Sequence, residues 1–502
     1  MTVTEVRPGA PVEVRRPDGR GGAPLRCSAD APQPRPVVGP ALVLAATAGL
    51  LAAWSPLLSI AVGLVLLLVT VVFLRPVLGT YVVLALTPLL AGMDRGALVP
   101  LLRPNEALAL LVGGIVVTRG AVLWLRGSRW PREVRRVELA LVALAFTSSV
   151  LPMLWLAARG AELTADDLQH SIMLWKYFFL YLLVRCTVRS EQQVGRCLWI
   201  ILGTSAAVGG VAILQSLQVP GVLDLVSTYY APFGDEGAVT NQRGTSTLAS
   251  SIAVGDVMAY SLAIALGWLL RGSRRRVPLV ALSMLLVLGG LASGQFSGAI
   301  ALLVAVAAVG FITGQFRRAA YAAVPAAALG ALLLRPVIER RLTGFSSKEG
   351  LPRSWVGRLE NLQTFFWPEL FSDFNVVLGV RPSARVPAPE TWRDYVWIES
   401  GHTWLLWSGG IPLFLAFFYF LWTALRSVAR VARERQDAIG AAAVGCFSAL
   451  CVLGVLMTLD LHLTLRGSAD LLFPLLALAL TREAGPDDPG ASHAPARRSG
   501  TG

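Results

Sequence analysis

Lysine is almost absent from this chain: Lys176 and Lys348 are the only two, although basic residues number 44. The net charge of +13 is therefore carried by arginine. Arginines clustered at the ends of apolar runs point to membrane topology and anionic lipid, not to nucleic acid. Histidine is nearly as scarce. His170, His402, His462 and His493 are too few for a multi-haem or multi-metal protein. Five cysteines do not suggest a disulfide framework, and none has metal-type spacing. The opening residues lack the short charged start and cleavage site of a signal peptide. No internal repeat, inverted or parallel, is visible, which counts against common transporter architectures.

What the chain has in abundance is apolar sequence. A hydrophobic fraction of 55%, a charged fraction of 15% and a mean hydropathy of +0.61 define an all-α, polytopic membrane protein. With roughly 20 mostly apolar residues needed per crossing, the candidate spans are 41–54, 57–74, 77–92, 106–118, 137–157, 171–186, 195–216, 249–270, 278–293, 299–314, 319–334, 403–424, 438–457 and 468–481. Several are short, so about 12–14 crossings are expected. The domain reading is a Pro-, Gly- and Arg-rich disordered tail (1–38), a helix bundle (39–334), a polar loop (335–402), further spans (403–481) and a second disordered tail (482–502).

Arginine sets the orientation. Alternate loops carry Arg75, then six arginines between 119 and 136, then Arg185 and Arg189, Arg271 to Arg276, Arg317 and Arg318, and Arg426 to Arg435. The intervening loops hold mostly single arginines, namely Arg95, Arg103, Arg159, Arg243 and Arg466. The positive-inside rule places the first set, with both termini, in the cytoplasm and the 335–402 loop outside it. The excess of arginine over lysine, with abundant alanine, suggests a high-GC bacterium and hence its cytoplasmic membrane.

The outer loop is where chemistry is expected. It carries nine basic and eight acidic residues. Trp355, Leu359, Leu362, Phe366 and Leu370 recur at helical spacing, predicting an amphipathic helix over 354–371 that roofs a cavity. His402 stands where the loop meets a span, beside Glu399. Arg243 precedes the 249–270 span, and Arg358 sits on the amphipathic helix. Each has a plain alternative: a water-satisfied interfacial histidine, a snorkelling arginine, a solvated loop charge. Together they ask for an anion at the outer face. Arginine's planar fork suits phosphate oxygens, and a histidine near neutral pKa can take a hydroxyl proton. Lys176 and Asp256 lie inside apolar spans and need a reason. They pair with each other or with loop charges, or else Lys176 adds positive potential to the anion pocket. Asp166 and Asp167 read as a solvated pair, with metal ligation as the alternative.

These motifs, in this order, resemble the O-antigen ligase and polymerase superfamily of membrane glycosyltransferases. The resemblance rests on Arg243-Gly-Thr-Ser, Ser293-Gly-Gln-Phe-Ser297, Gly357-Arg358-Leu, Val377-Leu-Gly379, Glu399-Ser-Gly-His402-Thr-Trp-Leu405 and Gly409-Gly410-Ile-Pro-Leu, and covers residues 230–480. Phe296 stands near the position of the family's turn arginine, and Pro412 or Leu413 where it has a further glycine. The resemblance implies metal-independent, inverting transfer of a glycan from a polyprenyl diphosphate, such as undecaprenyl diphosphate, to an acceptor hydroxyl on a glycan or lipid. No cofactor and no metal is implied. His402 would be the general base, with Glu399 orienting it or taking its role, and Arg243 and Arg358 would hold the diphosphate. The competing readings are a transporter or flippase for a lipid-linked or anionic substrate, and a non-catalytic partner in envelope assembly.

Overall fold

The computed structural model describes residues 55–96, 99–100, 102–127, 134–230, 243–333, 335, 339, 353–388 and 394–482. The expected span 41–54, the tail over 1–38, residues 483–502 and the loop stretch 340–352 with Lys348 lie outside the described residues. Helix accounts for 78% of the structure and strand for 2%, so the protein is all-α as its apolar runs predict. Two units are distinguished, residues 1–66 and 67–502. The described part of the first is the start of the Pro56–Leu74 helix. The second unit holds the helix bundle and the polar loop.

Seven helices among the described residues are long and apolar enough to cross a membrane. Shorter apolar helices at Pro76–Leu90, Arg276–Ala292 and Ser468–Ala479 accompany them. Their lengths and composition mark a helical membrane protein. The apolar stretches of Ser251–Leu270 and Ala438–Leu456 are 83% and 78% buried, more than in the other five, so these two helices form the core on which the rest pack. Small residues allow close approach there. A Cβ on Gly255 would lie 2.9 Å from the Cα of Gly298, which brings the start of Phe296–Thr313 against Ser251–Leu270. Side-chain caps fix where helices begin: Ser250 accepts from the Ala253 amide and Ser400 from the Thr403 amide.

The two ends of the bundle differ chemically. At one, arginines cap the terminal carbonyls of neighbouring helices. Arg119 donates to the Phe73 and Leu74 carbonyls, Arg135 to that of Leu480, and Arg271 to those of Ala432 and Arg435. Such carbonyls lack intrahelical partners and sit at the negative pole of the helix, so guanidinium groups suit them. At the other end, Gln295 Nε2 donates to Ser251 Oγ at 2.8 Å, and the Gly244 amide to the Ala292 carbonyl at 3.0 Å. The polar loop covers this second end.

Within the loop, helix runs through Arg353–Asn361, a π-helical turn Leu362–Phe366, and Trp367–Leu370. Leu362, Phe366 and Leu370 are buried while Gln363 and Thr364 are exposed, as the amphipathic pattern predicts. Leu359 is exposed instead, because the wider π turn rotates the preceding residues out of register with those after it. A short antiparallel hairpin, Arg385–Pro387 with Tyr395–Trp397, adds strand where only helix was expected.

The loop is threaded into the bundle through a broken helix. Gly401–Glu434 leaves helical geometry at Gly410 (φ 63°, ψ −158°), two residues before Pro412. The Trp407 carbonyl instead accepts the Val380 amide at 2.6 Å, and the Trp407 indole donates to the Ser383 carbonyl at 2.9 Å. Non-helical backbone inside a membrane protein persists only where protein satisfies it, and here the loop does so. A Cβ on Gly410 would lie 2.2 Å from the Val377 carbonyl oxygen.

Candidate functional site

A cavity of about 330 Å³ opens where the loop meets the bundle. Its wall comes from five separate stretches. Arg243 stands before Ser251–Leu270; Gln295, Phe296 and Ser297 open Phe296–Thr313; Trp355, Gly357, Arg358 and Asn361 lie on one face of the loop helix; Glu399 precedes Gly401–Glu434; Leu459 follows Ala438–Leu456. The loop helix therefore forms part of a cavity wall. Phe296 is in that wall too.

The charges are held in place. Arg358 Nε lies 3.5 Å from Glu399 Oε1, Nη2 lies 3.3 Å from Asp460 Oδ2, and Nη1 donates to the Leu459 carbonyl at 3.1 Å. Burial, and secondarily the Arg358 charge, hold the Arg243 guanidinium below its ordinary pKa. Two arginines and one carboxylate thus line one concave wall, a combination of groups that can accept an anion.

Of the five candidate residues, the structure brings Arg243, Arg358 and Glu399 to one cavity. His402 is not in its wall. The His402 ring stacks on Phe418, centroids 6.2 Å apart, and sits 6.1 Å from Phe414. Lys176 is elsewhere, 3.1 Å from Asp470 Oδ1, 3.7 Å from Glu106 Oε1 and over the Tyr177 ring. Asp256 pairs not with Lys176 but with His462, Nδ1 to Oδ2 at 2.8 Å, both side chains fully buried. Among the described residues no group of three or more His, Cys, Asp or Glu could hold a metal ion.

The aspartate pair is not solvated. Asp167 is completely buried and takes Arg381 in a two-point grip, Nε to Oδ1 at 3.0 Å and Nη2 to Oδ2 at 2.6 Å, with the Ser383 amide at 3.1 Å. Burial alone would raise its pKa, but hydrogen bonds from Arg381 and Thr164 outweigh it and bring it to about 2. Asp166 bonds the Ser383 hydroxyl and faces Arg385, whose guanidinium lies 4.2 Å from the Trp397 ring centroid. This clamp docks the second half of the loop on the bundle. The sequence carried its halves more than 200 residues apart, with no local signal joining them.

The isolated arginines also have work in the fold. Arg159 donates to Asn375 Oδ1 at 2.8 Å and to the Val380 carbonyl, holding the same inserted segment. Arg95 lies 3.6 Å from Glu106, and burial pushes Arg466 down to about 10. Comparison of the chain with protein-family models, curated proteins and solved structures returns no match.

Proposed function

We propose that this protein is a glycan ligase or polymerase of the cytoplasmic membrane of a bacterium. It takes a glycan from a polyprenyl diphosphate and passes it to a hydroxyl of a glycan or lipid acceptor on the outer face. The single observation that carries this reading is the cavity shared by Arg243, Arg358 and Glu399 beneath the loop helix. The loop end of the bundle faces outward and the arginine-capped end inward, in keeping with the positive-inside rule. Thirteen of the fourteen candidate spans coincide with helical segments, which supports a multi-pass count of 12–14.

In the reaction, the acceptor oxygen bonds to the anomeric carbon as the bond from that carbon to the diphosphate oxygen breaks. The leaving polyprenyl diphosphate keeps the electron pair, which Arg243 and Arg358 stabilise. The hydroxyl proton passes to the Glu399 carboxylate, which lines the cavity. We assign the base to Glu399 in preference to His402, whose ring packs on Phe414 and Phe418. Lys176, neutralised by Asp470 and Glu106, serves the bundle. A transporter would expose the ends of its broken helix to cargo; here the Val380 and Arg381 amides already bond the Trp407 carbonyl at the break.

The test is purified protein in lipid nanodiscs with an undecaprenyl-diphosphate-linked oligosaccharide. Release of undecaprenyl diphosphate with chain extension identifies a polymerase, and transfer to a different acceptor a ligase. No release with either acceptor overturns the reading and leaves transport or a non-catalytic role.

A further inference from the structure

Behind the cavity lies a buried polar group that the proposed reaction does not use. His462 sits in the turn between Ala438–Leu456 and Ser468–Ala479, 1% exposed, with Nδ1 2.8 Å from Asp256 Oδ2. Asp256 lies in the core helix Ser251–Leu270, one helical turn from Tyr260. His462 Nε2, Asp256 Oδ1 and the Tyr260 hydroxyl have no hydrogen-bond partner among the described residues. A buried charge in a span, with orphaned atoms around it, is costly enough to need a role.

The segment joining this pair to the cavity is four residues long. The His462 amide donates to the Asp460 carbonyl at 2.9 Å, and the Leu461 amide to Asp460 Oδ1 at 2.8 Å. That leaves Asp460 Oδ2 turned to Arg358 Nη2 at 3.3 Å, beside the Leu459 carbonyl on Arg358 Nη1. Two of the contacts on the cavity's guanidinium thus come from a stretch whose far end is tied into the core by His462. We infer that His462, fixed by Asp256, is a positioning residue: it holds residues 459–462 so that Leu459 and Asp460 aim Arg358 into the cavity. The consequence for ligand binding rests on reading that cavity as a diphosphate site.

Three charges face the imidazole: Asp256 from the core helix, Asp460 from its own turn and Arg358 from the loop helix. Burial opposes protonation and Arg358 adds to that, but the two carboxylates prevail and the pKa of His462 is raised. A raised pKa means the ion pair is intact at low pH and is lost as pH rises through the folded-state value. Arg358 should then lose its aim on the alkaline side.

Two measurements on the full-length protein separate the inference from the functional reading. The first is an NMR titration of the four histidines, isotopically labelled, with His462→Gln assigning the resonance. Asp256→Asn should lower the His462 midpoint by at least one pH unit, and Arg358→Gln should raise it. If Arg358→Gln leaves the midpoint where it is, the link between core and cavity is overturned, whether or not any ligand binds. The second is binding of farnesyl diphosphate. Asp256→Asn, which keeps the shape and an acceptor for Nδ1, should weaken it about tenfold and abolish its alkaline fall-off. Unchanged affinity and pH profile in Asp256→Asn, with Arg358→Ala inactive in binding, would overturn the positioning role and leave the site intact. Absence of binding in the wild type would count against the diphosphate reading, and the titration then decides the inference alone.

Discussion

At the residue scale, the geometry separates groups that look equivalent in sequence. Arg243 and Arg358 come from distant parts of the chain and meet in one cavity. Replacing either by Lys keeps the charge and removes the planar fork, so turnover should fall by at least ~10²-fold with little loss of folded protein. The check is transfer assayed beside yield from size-exclusion chromatography. Wild-type rates in both variants would overturn their diphosphate-binding role. Glu399 and His402 provide a sharper contrast. A general base contributes ~10²–10⁴-fold, so Glu399→Gln should lose that much while His402→Ala keeps most of the activity. The reverse result would return the base to His402 and require the helix start to turn in the donor complex.

At the scale of elements, the loop depends on two attachments. The first is the Asp167–Arg381 clamp. Its carboxylate has a folded-state pKa near 2, below the usual value, so its stabilisation is complete above about pH 4 and is lost as pH falls towards 2. Asp167→Asn removes the charge at every pH and leaves Arg381 facing a neutral amide, at a cost of about 3 kcal/mol. Limited proteolysis between Ser372 and Asp394 should speed up in this variant at neutral pH, and in the wild type only under acid conditions. The second attachment is the break at Gly410. Gly410→Ala sets a Cβ against the Val377 carbonyl at a positive φ, so it should lower the melting temperature clearly. Gly114→Ala, where nothing lies within 4 Å, should not. Equal melting temperatures for both would mean that the inserted segment can move aside.

For the molecule as a whole, the two ends of the bundle make a directional prediction. Ser372 is exposed in the loop, and Gln436 is exposed at the end where Arg271 caps helix carbonyls. In a background with the native cysteines replaced by serine, Ser372→Cys should react with an impermeant maleimide in spheroplasts. Gln436→Cys should react only after lysis. The opposite pattern would invert the orientation and place the cavity in the cytoplasm, away from any outer-face acceptor.

The sequence by itself determined what local and additive forces decide. Apolar runs of span length specify helices, and the 354–371 periodicity specifies the loop helix. The arginine bias between alternate loops was legible for the same reason, since it is a count along the chain. Pairings were not legible. Lys176 and Asp256 were each readable as costly charges, but which counter-charge each would find depends on how helices far apart in sequence are rotated against one another. The fold gave Lys176 to Glu106 and Asp470, and Asp256 to His462. Asp167 finds its arginine 214 residues away, and the break at Gly410 is filled by backbone that no composition names. The cavity belongs to this second class: sequence supplied its residues, and only tertiary packing decided that Arg243, Arg358 and Glu399 share it while His402 does not, because Glu399 precedes the helix and His402 lies within it with its ring against Phe414 and Phe418.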